Sequence, residues 1–389
     1  MVEFAQSEGQ VSMRILVLSD IGSSEADNPF TRELIKGLVS DVRVLVVDYG
    51  KFWLDTDIRN RWDVVIVQWP EYLVRPDDES SMEAFIQKLK ALRSFGKVVT
   101  VIHNLTPHYR ESVFNHRLYD LVFQQSDGLI HLGQTSPTML ANEYPKTAQL
   151  PYTVIPHGNY ECFGAGVGKQ QAREKLGLPL EGELVLALGQ IRAQEEFDLA
   201  VKAVKGCRGS SRKLLIAGRV TFGVKTNTGR VRAWFMRVFL ACRLMGKAKL
   251  SRYVFFHERT IPSSEIPLYL SASDILLIPR KRGLNSGNVA LGFTFGKVVV
   301  GPSLGNIGEV LRATGNPVFD PDNPDSLGLA LDRAFDLIAG GLGDANRSLA
   351  LSDWKWERIG GLLCNFFIKL RTGELMSAPS QDRRVSRHV

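Results

Sequence analysis

The chain has no uninterrupted apolar run of the roughly 18 residues a helix needs to cross a bilayer, so no spanning helix is expected. Its four cysteines, Cys162, Cys207, Cys242 and Cys364, are scattered, with no CxxC pair and no metal-ligand spacing. That excludes a disulfide scaffold and a zinc ribbon, and reads as reduced thiols in a cytosolic protein. No GxGxxG follows the first strand-like segment, which argues against nicotinamide chemistry. The first twelve residues, MVEFAQSEGQVS, show no signal-peptide pattern and read as a disordered extension, with folded sequence from Met13. Acidic residues are missing altogether from Leu199 to His257, where 14 Lys and Arg fall.

That gap organises the charge. The whole chain carries 48 basic and 41 acidic residues, a net +7. Outside the basic segment 34 basic and 41 acidic residues remain, a net −7. A mildly acidic protein with one basic segment suits a local anionic surface or ligand, and no nucleic-acid partner is expected. At 389 residues, with 44% hydrophobic and 23% charged, the chain is a globular protein too long for one ordinary core.

Short apolar runs alternate with helical patterns. RILVL at Arg14–Leu18, residues 42–47, WDVVIVQ at 62–68, KVVTVI at Lys97–Ile102 and Gly128–His131 read as strands. Residues 28–40 and 81–95 read as helices between them. Near-continuous apolar strands alternating with helices indicate a parallel sheet covered on both faces. Around residues 151–168 the pattern breaks into Pro, Gly and His, as an interdomain hinge would. A second series follows, with strands at Leu184–Leu188, Lys213–Ala217, 254–256, 275–278 and 298–300. A Trp-rich helix is expected at 353–370, then a solvated tail.

The segment PRKRGLNSGNVALGFTFGKVVVG at 279–301 carries the most chemistry. Arg280, Lys281 and Arg282 run into Asn285-Ser286-Gly287 ahead of an apolar helix. Such a turn presents unpaired backbone N–H groups and a positive helix end, an anion site suited to phosphate or diphosphate. The plainer reading is a capped helix on a basic surface. His103 and the run Gly189-Gln190-Ile191-Arg192 likewise follow strands, at the edge where open α/β sheets bind ligands.

Several of these stretches resemble GT-B glycosyltransferases of the family-4-like superfamily. AREKLGLPLEGELVLALGQIRAQEEFDLAVK at 172–202 is similar to the opening of their nucleotide-sugar domain. VIPHGNY at 154–160 resembles their interdomain motif. TVIHNLTPH at 100–108 is similar to a loop in the bacterial exopolysaccharide branch that includes the xanthan-assembly β-mannosyltransferase. The resemblance, over roughly 14–370, implies two Rossmann-like, doubly wound domains facing a cleft, with a C-terminal crossover helix. The expected division is a 13–155 acceptor domain, a 156–168 hinge, a 169–350 donor domain, a 351–371 helix and a 372–389 disordered tail. It further implies transfer of a sugar from a nucleotide-diphosphate donor to an acceptor hydroxyl, with no cofactor. Gly158, Gly189, Arg192, Lys281, Asn285, Ser286, Gly287 and Glu309 are the implied donor-binding residues, and Asn104 and His108 the acceptor-side ones.

Two departures shape the expected mechanism. Relatives place Lys-Gly after the Arg; here Glu195-Glu196 stand there, and a carboxylate beside a diphosphate would repel it unless turned away. The paired glutamates of retaining enzymes are replaced by Gly283 and Leu291, and no acid lies between Asp274 and Glu309. Inversion without a metal is therefore expected, with cations and helix-end N–H groups meeting the leaving diphosphate. It requires a base for the acceptor hydroxyl. The candidate catalytic residues are Asp20, Glu25, His103 and His157; Asp27 is a further carboxylate, and turn capping or core packing is the plain alternative for each. Residues 230–252 combine an apolar stripe (Val231, Trp234, Phe235, Val238, Cys242, Met245) with a second face where Phe239 sits among Arg237, Arg243 and Lys247. Peripheral contact with an anionic membrane, on the cytoplasmic face, would suit a lipid-linked or saccharide acceptor. Alternatives are a catalytically degenerate sugar-nucleotide-binding partner protein, favoured by Glu195-Glu196, and a GT-B-like epimerase.

Overall fold

The structure is a computed structural model describing residues 2–4, 13–19, 29–38, 43–47, 62–106, 112–205, 212–221, 253–323 and 325–375, with single helical positions at 239, 242 and 246. Asp20, Glu25, Asp27 and His108 lie outside the described residues, as does most of the basic segment. The chain divides into two compact units, one within 1–21, 30–156 and 356–389, the other within 22–29 and 157–355.

The first unit holds a seven-stranded sheet. Its strands are β1 (Val2–Phe4), β2 (Arg14–Leu18), β3 (Arg43–Val47), β4 (Val64–Val67), β5 (Lys97–Ile102), β6 (Gly128–His131) and β7 (Tyr152–Val154), in the order β1-β3-β2-β4-β5-β6-β7. All neighbours are parallel except β1, which runs antiparallel to β3 with Val2 opposite Val46. The polar N-terminus expected as a disordered extension thus contributes an edge strand at Val2–Phe4. Three residues of VEF are too short for a periodic signal, and their pairing partner is remote in sequence.

Alternation along β2 shows why these runs are apolar throughout. Ile15 and Val17 enter one core with Phe30, Leu34 and Ile35 of α1 (Phe30–Leu38). Leu16 and Leu18 enter another with Met82, Phe85 and Leu89 of α2 (Glu79–Arg93), and with Leu118 and Val122 of α3 (Val113–Gln125). Each such side chain, fully buried, contributes about 2 kcal/mol. Asp78 and Ser112 begin α2 and α3 by accepting from the backbone N–H three residues on, which satisfies one orphan donor each. A short helix, α4 (Thr135–Glu143), precedes β7.

The second unit is wholly parallel: β8 (Leu184–Leu188), β9 (Lys213–Ala217), β10 (Val254–His257), β11 (Ile275–Leu277), β12 (Val298–Pro302) and β13 (Val318–Phe319), in the order β10-β9-β8-β11-β12-β13. The order reverses at β8, where β8 lies between β9 and β11. Its helices are α5 (Lys169–Leu176), α6 (Gln194–Lys205), α7 (Ile266–Ala272), α8 (Gly287–Thr294), α9 (Gly305–Ala313), α10 (Asp325–Ala339) and α11 (Leu342–Ser352). Val185, Ile216 and Leu277 pack on Phe197 and Leu331; Leu186, Leu215 and Leu276 pack on Tyr269 and Phe293.

One boundary differs from the sequence reading, and the final helix returns to the first unit as the expected crossover helix would. The stretch expected as a hinge packs into the second unit from His157 onward: the Asn159 N–H donates to the Trp354 carbonyl at 2.9 Å, and Tyr160 is buried. The last helix, α12 (Trp356–Thr372), belongs to the first unit, where Trp356, Ile359, Leu363 and Phe367 join the α1 core. Polar and Pro-Gly composition marks a break in secondary structure, not the place where packing changes owner. Cys242, on the apolar stripe of 230–252 that core packing would bury, is exposed, as is Phe239. Among the described residues no helix is long and apolar enough to cross a membrane.

Candidate functional site

In the second unit the predicted donor residues gather at the carboxyl ends of the strands. Gly189 follows β8 with φ +111°, and its N–H donates to the Ala217 carbonyl at 2.9 Å. A β-carbon on Gly218, at the end of β9, would overlap the Gly189 carbonyl, so the two chain ends touch through backbone alone. The chain then passes Gln190 and Ile191 to Arg192, whose N–H donates to Glu196 Oε2 at 2.8 Å across the first turn of α6.

Glu196 was expected to repel a diphosphate. Its carboxylate is instead occupied: Arg280 Nη1 lies 2.7 Å from both of its oxygens, and Arg280 Nη2 donates to the Gln190 carbonyl at 3.2 Å. Both side chains are about nine-tenths buried, so neither charge stands uncompensated. Glu195 is exposed. Arg280 is thereby committed to Glu196, while Lys281 and Arg282 stand exposed at the mouth of the same loop. Gly189, Gln190, Glu196, Arg280 and Asn288 line a shallow, open pocket. Asn288 donates to the Leu188 carbonyl at 2.8 Å and fixes the start of α8 against β8.

Two helix N-termini meet at the 283–287 loop. Ser286 precedes α8 without a side-chain cap. Asn306, in the first turn of α9, donates its N–H to the Leu284 carbonyl at 3.0 Å and its amide to Asn285 Oδ1 at 2.7 Å. Glu309 is half-buried one turn into α9. The predicted residues Asn285, Ser286 and Gly287 thus sit where two helix dipoles point at one loop.

His157 comes to this loop as well. A β-carbon on Gly287 would collide with the Tyr160 hydroxyl and lie 3.4 Å from His157 Nε2. His157 stacks on Tyr160 with ring centroids 5.5 Å apart. The Gly158 carbonyl accepts from His157 Nδ1 at 2.9 Å, so Nδ1 carries the proton and Nε2 is an acceptor. Burial pulls the imidazole down to about 4, against a smaller opposing effect of the Gly158 bond. A neutral imidazole with so low a pKa is a poor proton acceptor but a sound hydrogen-bond acceptor.

The first-unit candidates that are described, His103 and Asn104, end β5. His103 Nε2 lies 3.0 Å from Gln68 Oε1, and its ring stacks on Trp69 at 3.8 Å and 13°. The donor-side residues and His157 share one unit; His103 and Asn104 are in the other. Sequence reasoning missed Arg280 as the partner of Glu196, Tyr160 as the neighbour that requires Gly287, and Asn306 beneath Asn285. Tyr160 stood in the VIPHGNY motif and could have been named from it; the other two become partners only through folding.

No protein-family model matches the chain. The Anabaena protein HepE, solved with UDP and glucose, superposes with TM-score 0.64 at 15% identity, over 92% of this chain and 100% of that one. Sucrose-phosphate synthase from Thermosynechococcus elongatus gives 0.63 at 14% identity, over 93% and 100%.

The chain has the GT-B fold.

Among curated proteins, GDP-mannose:glycolipid 4-beta-D-mannosyltransferase of Xanthomonas campestris pv. campestris is 23% identical over 296 residues, 74% of each chain. In GT-B terms, the loop after β8 that carries Arg192 and the loop after β11 that carries Lys281, Asn285 and Gly287 lie at the carboxyl edge of the second sheet, and β8 is where its strand order reverses.

Proposed function

We propose that this protein is a glycosyltransferase that moves a hexose from a nucleotide-diphosphate sugar to an acceptor hydroxyl, with the second unit holding the donor. One observation carries the reading: two helix N-termini converge on the 283–287 loop beside exposed Lys281, while the Glu196 carboxylate, which would oppose an anion there, is paired with Arg280. The leaving diphosphate is met by the backbone N–H groups of that loop and by Lys281 and Arg192, so that its developing charge needs no metal. Gly287 lets Tyr160 and His157 pack against the start of α8, and Gly189, with open space where a side chain would stand, allows the ligand to approach the backbone. His157 Nε2 accepts a hydrogen bond from a hydroxyl of the donor sugar and thereby orients it.

The acceptor is a lipid-linked saccharide and the setting is bacterial exopolysaccharide or cell-surface glycan assembly at the membrane surface; the glycolipid acceptor named for the mannosyltransferase relative supports this. Inversion is favoured because no acid lies between Asp274 and Glu309 to support a retaining arrangement, and because the relative's name specifies a β-linkage. The test is release of nucleoside diphosphate from GDP-mannose and UDP-glucose, with product analysis on membrane glycolipid. Transfer with inverted anomeric configuration supports the reading, and nucleotide-sugar binding without transfer favours the degenerate binding partner.

A further inference from the structure

Tyr160, in the second unit, carries a hydroxyl that its packing does not use. The residue is 7% exposed. Its backbone is fixed by two bonds: the Tyr160 N–H donates to Thr294 Oγ1 at 3.1 Å, and the N–H of Asn159 donates to the Trp354 carbonyl at 2.9 Å. Its ring stacks on His157, with centroids 5.5 Å apart, and on Phe163, at 5.3 Å. A phenylalanine would serve all of this.

The hydroxyl needs another reason. A buried tyrosine O–H ordinarily finds a partner, and this one has none among the described residues. Its oxygen is not sealed off but keeps an opening to solvent. It stands where a β-carbon on Gly287 would fall, and so holds the first residue of α8 to glycine. Two further features of the same place call for an anion. The eight-residue α8 starts without a side-chain cap, which leaves orphan N–H groups at its positive end. Lys281 is exposed on the loop that leads into it. A phenol, a helix start and an ammonium can all donate to the oxygens of one phosphate group.

We infer that the Tyr160 hydroxyl donates a hydrogen bond to the diphosphate of the nucleotide sugar, an assignment that rests on the transferase reading above. When the bond from the anomeric carbon to the diphosphate oxygen breaks, its electron pair stays with the diphosphate, and the Tyr160 O–H meets the charge that builds there. The proton stays on Tyr160. Burial raises the phenol above its ordinary value, and Cys162 adds a smaller effect in the same direction, so the group remains a donor at any working pH.

Tyr160→Phe tests this, since it keeps the ring and its stacking and removes only the hydroxyl. Melting temperature without ligand should be unchanged, because no bond within the protein is lost. Titration with UDP and GDP should show affinity for the accepted diphosphate reduced by about ten- to a hundredfold. Affinity for the matching nucleoside, which has no phosphate, should be unaltered, and kcat should fall by roughly 10²-fold. Diphosphate affinity equal to that of the unsubstituted protein, or an equal loss for the nucleoside, overturns the Tyr160 assignment alone. Binding of neither UDP nor GDP by the unsubstituted protein overturns it together with the functional reading.

Discussion

Arg280 Nη1 lies within 2.7 Å of both carboxylate oxygens of Glu196, across 84 residues of sequence. The pair turns an apparent defect of the donor loop into part of its frame, since Glu196 also receives the Arg192 N–H. Arg280→Ala leaves a nine-tenths-buried carboxylate without its cation. Loss of one partner from such a pair costs about 3–5 kcal/mol. Denaturant unfolding should show a fall of that order, and Arg280→Ala combined with Glu196→Ala should recover part of it.

Lys281 gives the opposite profile. It is exposed, so Lys281→Ala should change stability by less than about 0.5 kcal/mol. A charge-assisted bond to phosphate is worth about 1.5–3 kcal/mol. Calorimetric titration with nucleoside diphosphate should therefore show affinity reduced by about ten- to a hundredfold, at about tenfold per 1.4 kcal/mol.

Gly287 has no room for a methyl group because the Tyr160 hydroxyl occupies the place. Gly287→Ala should cost about 1–3 kcal/mol and weaken donor binding as the start of α8 shifts. Adding Tyr160→Phe removes the obstructing oxygen and should restore part of the stability. A double-mutant cycle with no coupling would contradict this contact.

Acid should destabilise the protein through its buried histidines. Burial lowers His131 to about 4, and His131 Nδ1 is held by Ser136 Oγ at 2.9 Å. His157 is lowered to about 4 for the same first reason. Both are neutral in the folded protein and titrate near 6.5 when unfolded, so the unfolded chain binds more protons between about 6.5 and 4. Their contribution is present above about pH 6.5 and is lost as pH falls through that window. Near pH 5 each adds about 1.4 kcal/mol per pH unit to the slope. His131→Gln should flatten the unfolding free energy against pH by that amount.

The framework was legible because its physics is local. RILVL, KVVTVI and LVLAL are apolar on both faces, and only a sheet covered on both sides uses such runs. The turn at 285–287 was legible because Asn285-Ser286-Gly287 before an apolar run is a backbone arrangement that residue types reveal, and α8 does begin at Gly287. Three strands escaped: VEF at 2–4 pairs with a remote neighbour, Tyr152–Val154 is half-exposed in a segment broken by prolines, and Val318–Phe319 is only two residues long. The pairing of Glu196 with Arg280 escaped because charge compensation between distant residues has no sequence signature.

Donor-dependent thermal stabilisation tests the central claim most directly. Melting temperature should be measured with and without a panel of GDP- and UDP-sugars, for the unsubstituted protein and for Lys281→Glu. A ligand at a hundred times its Kd stabilises by about 2.7 kcal/mol. The account predicts a clear rise with at least one donor, abolished by Lys281→Glu. No rise with any donor, or a rise that Lys281→Glu leaves intact, would contradict it.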